Sequence, residues 1–289
     1  MPGTFSDSWK LTKTSFRLIS EDRALLVFPV VAGLAILGVL FLALLGAFWL
    51  LPYYLSGNGG SPAVDLLFVV LFVAVYFSIS FISVYASAAL VGAATLKLNG
   101  QQPTAADGWR VARSRLGRLT IWALITATVG LLIQVIASRV QGIAGLLISS
   151  IGGATWSIAT YFMIPVLIFE DEGAWKSITR SSRLFVSTFG RTLVTNLVVG
   201  LLIGVGVVAA LVLGVLGLLL LFGGSTVLGL VLIVSGVAIA VVVGLIGAAA
   251  EGVLRAALYR YATTGKIDRD LLPNAYRLSR DGPPSAPLP

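Results

Sequence analysis

Six apolar runs, at residues 24–51, 64–96, 119–137, 143–169, 193–222 and 226–259, constrain this chain more than any other feature. A helix needs about 20 predominantly apolar residues to cross the hydrocarbon core of a bilayer, and each run is of that order or longer. In hydrocarbon every backbone N–H and C=O must find its partner inside the protein, which restricts spanning segments to helices and closed barrels. Runs of this length predict spanning helices. Composition agrees: 57% of residues are hydrophobic and 11% charged, outside the range of soluble globular domains, and the mean hydropathy is +0.99. The expected fold class is all-α, a polytopic membrane protein with six transmembrane helices paired as three hairpins and with cytoplasmic interfacial amphipathic helices. Its expected parts are a cytoplasmic amphipathic helix over 1–23, a membrane domain over 24–262 and a cytoplasmic tail over 263–289, disordered towards its end.

The second and last runs exceed what a crossing needs, so they are expected to tilt or to continue as helix beyond the membrane. The first run is longer than the apolar core of a signal peptide and has no small-residue cleavage pattern before Pro52, so it is expected to stay as an anchor. Turn-forming residues at 57–62, 138–142 and 223–225 separate neighbouring runs.

Orientation follows from the cations. Nineteen of the 20 Lys and Arg fall in the N-terminal segment, the second and fourth connections and the C-terminal end, and the other three connections hold only Arg139. Cytoplasmic connections carry the excess of Lys and Arg, which places both termini in the cytoplasm. Trp49, Tyr53 and Tyr54 then mark the outer interface and Trp122 the inner one. The net charge of +8 therefore reads as attraction to anionic inner-leaflet lipids rather than as a nucleic-acid surface.

Three of the basic segments share a pattern of small residue, Trp and cation: Ser8-Trp9-Lys10 with Lys13, Gly108-Trp109-Arg110 with Arg113, and Ala174-Trp175-Lys176 with Arg180. These residues are candidate interfacial anchors. In the first segment Phe5, Trp9, Thr12, Phe16 and Ile19 recur at helical spacing, the pattern of a helix lying in the interface with its cations reaching headgroups. In the second, Thr104 and Asp107 form a capping-box pattern that starts a helix. Two readings stand: a unit of amphipathic helix plus hairpin used three times, or Trp and Arg gathered independently as anchors.

The chain contains no Cys and no His, which removes thiol nucleophiles, imidazole bases and the usual transition-metal ligands. Neither a cofactor nor a metal is expected, and the chain is not expected to be an enzyme. Glu251 is the only acid well inside a run, and Arg255 lies four residues on, the favourable order for a helical ion pair. Glu251 and Arg255 are thus the candidate intramembrane polar site: an anchor pair at the inner end of the last helix, or a substrate or proton site. The carboxylate is expected to face neighbouring helices with Arg255 or Arg260 in reach. Ser78, Ser80, Ser83 and Ser87 on the second run, with Ser149, Ser150, Thr155, Ser157 and Thr160 on the fourth, either glue helices together or line a polar path. Gln134 and Asn196 add amides. Gly200 and Gly204 form a GxxxG pair suited to close helix contact. Pro29 and Pro165 free backbone carbonyls near the inner ends of their runs and are expected to bend them. Glu170-Asp171-Glu172 suits the start of a helix, where acids meet the positive end of its dipole, better than a metal cage.

At Ser8–Lys13, at Tyr161-Phe162-Met163-Ile164-Pro165-Val166-Leu167 with Glu170, at Ala174–Arg183 and above all at Ala256-Ala257-Leu258-Tyr259-Arg260-Tyr261-Ala262-Thr263-Thr264-Gly265, the chain resembles a family of prokaryotic six-helix integral membrane proteins catalogued as a domain of unknown function. It is more distantly similar to the membrane domain fused to some glycerophosphodiester phosphodiesterases. The resemblance implies a prokaryotic plasma membrane and a three-hairpin bundle; nothing in the chain resembles the soluble phosphodiesterase domain, so that activity is not implied. Two functions are weighed: a non-catalytic membrane scaffold that associates with itself or with other membrane proteins, and a small-solute or ion transporter or channel. Broken helices and deep charges, the usual pointers to transport, are largely missing from the sequence, which favours the scaffold.

Overall fold

The computed structural model describes residues 24–53, 62–140, 142–170 and 173–264, with backbone only at 53, 143, 188–199 and 202. The segment of Trp9, Lys10 and Lys13, most of the 57–62 connection, Asp171, Glu172, the tail from 265 and the side chain of Asn196 lie outside the described residues. Among the described residues eight helices follow in order: α1 Ala24–Tyr53, α2 Pro62–Leu98, α3 Ala105–Ser114, α4 Leu116–Arg139, α5 Ile143–Ala159, α6 Met163–Phe169, α7 Ala174–Phe222 and α8 Thr226–Thr264. There is no strand among the described residues. Among the described residues six stretches are long and apolar enough to cross a membrane: Ala24–Pro52, Pro62–Leu98, Leu116–Arg139, Ala144–Phe169, Ile203–Phe222 and Thr226–Thr264. The number matches the sequence expectation, and the architecture fits a multi-pass membrane protein.

Two spans depart from the expected pattern, in opposite directions. The segment around Trp175 is not a separate helix; it is the first part of the 49-residue α7, because no proline interrupts it before the apolar run. The fourth span, expected to be bent at Pro165, is divided into α5 and α6 at Thr160–Phe162. Pro165 has no N–H to offer the carbonyl of Tyr161, and it sits in the first turn of α6, where a missing donor breaks no bond. By contrast Pro29 lies within an uninterrupted α1.

The chain divides into two compact units. One contains Phe28–Ala93 and Pro103–Phe185; the other contains Ala94–Gln102, the described residues up to Val27 and those from Val186. In the first, α2 meets α1 where Leu71 lies against Gly46, and meets α4 where Tyr76 lies over Gly130. Ser80 donates to the Ala123 carbonyl at 3.0 Å and shares a 2.9 Å hydroxyl contact with Thr126, the helix-to-helix glue that small polar residues supply in membranes. Trp122, expected at the inner interface, is 3% exposed and stacks on Trp156 with centroids 5.7 Å apart. It joins α4 to α5.

In the other unit α7 and α8 form a tight antiparallel pair. A Cβ on Gly236 would lie 2.7 Å from the Ala210 carbonyl oxygen, one on Gly229 2.7 Å from that of Gly217, and one on Gly217 2.8 Å from that of Gly229. Gly206 and Gly247 abut Val243 and Ile203. The contact positions on α7 (203, 206, 210, 213, 217) alternate steps of three and four, and those on α8 (229, 236, 243) step by seven, the periodicity of a coiled-coil seam. The seam does not use Gly200 and Gly204, the pair flagged by sequence: neither has an atom within 4 Å of where its Cβ would stand. A GxxxG spacing puts two glycines on one face but says nothing about which face meets a partner.

Candidate functional site

The helix α3 begins at Thr104, whose backbone N–H and hydroxyl both donate to one Asp107 carboxylate oxygen at 2.9 and 2.7 Å while the Asp107 N–H returns to the hydroxyl, the capping box expected from sequence. Those hydrogen bonds, aided by Arg110, hold the Asp107 carboxyl below its ordinary value near 3.8, so it is ionised at neutral pH. Its other oxygen accepts from Arg110 at 2.7 Å. The buried side of α3 is made by Gly108 and Ala112. A Cβ on Gly108 would lie 2.5 Å from the Phe28 ring and 2.6 Å from the Ala89 carbonyl oxygen, and one on Gly92 2.9 Å from Val111. This close approach brings Trp109 between Phe28 (5.2 Å) and Tyr85 (5.3 Å). Arg110 and Arg113 are exposed, beside an open groove of about 700 Å³ walled by α1, α2 and α3.

The broken fourth span is closed by its neighbours. Tyr161 to Ile168 are all buried. The Phe162 N–H, left without a helical acceptor at the break, donates to Ser181 Oγ at 3.0 Å, and Tyr161 meets Phe185 edge to face. At the end of α6, Arg115 donates to the Ile168 carbonyl at 3.2 Å and Arg118 to that of Glu170 at 3.0 Å. Glu170 pairs with Arg180 at 3.2 Å, an assignment that a separation of ten residues in the chain concealed from sequence reasoning. Trp175, the counterpart of Trp109 in the sequence pattern, is 78% exposed, and Lys176 is also exposed. The shared Trp–cation motif therefore serves two different surroundings.

On α8, Glu251 and Arg255 form an ion pair between turns whose Ala249, Ala250, Gly252 and Val253 are buried. The arginine side chain is 25% exposed and the carboxylate side chain 47%. Arg260 donates to the carbonyl of Leu98, the last residue of α2, a favourable place for a cation. An exposed i,i+4 pair contributes about 0.3–0.5 kcal/mol. Glu251→Gln is accordingly expected to lower the thermal midpoint in detergent by no more than a degree or two; a large loss of folded protein would mean that the carboxylate neutralises a charge the pair alone does not explain.

Several of the other polar side chains of the spans are turned onto their own helices. Ser78, Thr128, Ser138, Ser149 and Thr160 each donate to a carbonyl three or four residues back. Ser83, Ser150, Thr155, Ser157 and Gln134 are exposed. Among the described residues no group of three His, Cys, Asp or Glu gathers as a metal site would require.

A family of unknown function, DUF6159, matches residues 64–269, from the second span through the end of α8. The chain belongs to that family. The match covers the whole of α2 to α8 apart from the first two residues of α2, including both the broken span and the glycine seam. No curated protein and no solved structure matches the chain.

Proposed function

We propose that this DUF6159 member is a non-catalytic scaffold of the prokaryotic plasma membrane, with both termini cytoplasmic, that associates with itself or with other membrane proteins. The observation that carries the reading is the fate of the spans' hydroxyl groups. Among the candidates for a polar path, Ser78, Ser149 and Thr160 bond to carbonyls of their own helices and Ser80 is tied across to Ala123 and Thr126 of α4, so four of these hydroxyls hold helices rather than solvate a passing solute. Gly200 and Gly204 have no atom within 4 Å of their Cβ positions and offer a face on which another helix could pack closely.

A second reading, a small-solute or ion transporter, draws on the break at Thr160–Phe162, since discontinuous helices commonly build transport sites. The buried apolar run from Tyr161 to Ile168 and the Ser181 hydroxyl at the break fit a packed joint better than a pathway, because irregular backbone at membrane depth is also tolerated where protein covers it.

The test compares flux with association. Purified protein in liposomes should pass ions and small solutes no faster than empty liposomes, and crosslinking in native membranes should yield a self-associated species that Gly200→Leu and Gly204→Leu remove. Flux above background would overturn the scaffold. Orientation is checked with single cysteines, which the cysteine-free chain makes clean: those at Ser56 and Ser225 should react with an impermeant reagent from outside intact cells, and one at Ser285 should not.

A further inference from the structure

We propose that the groove beside α3 holds one anionic phospholipid, its phosphate on Arg113 and Arg110 and an acyl chain along the apolar wall. The groove's volume of about 700 Å³ falls within the about 300–1,000 Å³ of small-molecule sites. Val31 and Ala35 of α1 and Phe81 and Tyr85 of α2 form its wall, while Trp109, Arg110 and Arg113 come from α3. One side of the opening is thus hydrocarbon and the other cationic, the two chemistries of a phospholipid.

The tail supplies no selectivity, because lipid hydrocarbon is as apolar as the side chains it would touch. Selection falls to the headgroup. Arg110 and Arg113 are three residues apart and project from the same side of the helix, and a guanidinium offers phosphate a planar fork of donors. Asp107 engages Arg110 at 2.7 Å, whereas Arg113 has no carboxylate partner among the described residues. One cation in excess at the mouth complements one phosphodiester. The site is also held in place: Gly108 lets α3 settle against Phe28 and the Ala89 carbonyl, and the Trp109 ring, stacked on Tyr85 and tilted against Phe28, fixes its rotation.

This inference deepens the proposed function in one respect, since it rests on α3 lying at the membrane interface, and its leaflet depends on the orientation given above. The experiment uses the full chain in detergent, with phosphatidylglycerol or phosphatidylcholine added and the bound lipid counted by native mass spectrometry. One phosphatidylglycerol per chain should be retained in preference to phosphatidylcholine. Arg113→Gln should weaken that retention about fivefold, the effect of one cation near an anionic headgroup, and the Arg110→Gln/Arg113→Gln pair more. Ala35→Trp, which fills the groove without changing charge, should abolish it. Arg139→Gln, an exposed cation away from the groove, should leave it unchanged.

Equal retention of the two lipids by the wild type, or an equal loss in Arg139→Gln, overturns the proposal. So does a lipid-free dimer that Ala35→Trp dissolves, which would assign the groove to a second copy. The cysteine labelling reads orientation separately: selective retention in a protein whose labelling is inverted supports the site and overturns only the assigned leaflet.

Discussion

Gly236→Ala is expected to destabilise the pairing of α7 with α8 by about 3 kcal/mol, near the top of the usual range for overpacking. The new methyl would stand 2.7 Å from the Ala210 carbonyl oxygen and 3.2 Å from the Gly214 nitrogen, and neither backbone atom can rotate away as a side-chain tip could. The two helices must separate, and the cross-seam contacts at Gly229–Gly217 and Val243–Gly206 loosen with them. Helix propensity alone predicts the opposite sign, since alanine is favoured over glycine by about 1 kcal/mol in a helix interior. Gly244 supplies the control: it lies on the same helix with nothing within 4 Å of its Cβ position, so Gly244→Ala should be neutral or slightly stabilising. Thermal midpoints of the two variants in the same detergent decide the matter. Equal midpoints would mean that the seam is not a load-carrying contact of the fold.

Ser181→Ala is expected to cost about 1–3 kcal/mol, the penalty for leaving a buried donor unsatisfied, because it orphans the Phe162 N–H at the break in the fourth span. Ser177 makes the comparison informative. Both serines are fully buried, but Ser177 Oγ donates to the Gly173 carbonyl, which also accepts from the Ser177 N–H. Ser177→Ala therefore strands no acceptor and should cost well under 1 kcal/mol. Burial and volume change are alike in the two variants, so a difference in stability isolates the hydrogen bond at the break. If hydrogen exchange at Phe162 is no faster in Ser181→Ala than in the wild type, the hydroxyl is not what closes the joint.

The sequence by itself determined whatever depends on local spacing. Run length set the number of spans, Thr104 and Asp107 three residues apart set the start of α3, and the four-residue step from Glu251 to Arg255 set their ion pair, because each involves partners within a turn or one bilayer thickness of each other. Pro165 announced a disturbance in the fourth span but not its form, since the donor left over by the break is received by a serine 19 residues away. Tertiary structure alone decided which glycines form the α7–α8 seam, which tryptophan packs and which is exposed, and that Glu170 meets Arg180. Those outcomes depend on which face of a helix meets a neighbour, and in a chain apolar on nearly every face of its spans, hydrophobic periodicity carries almost no record of that choice.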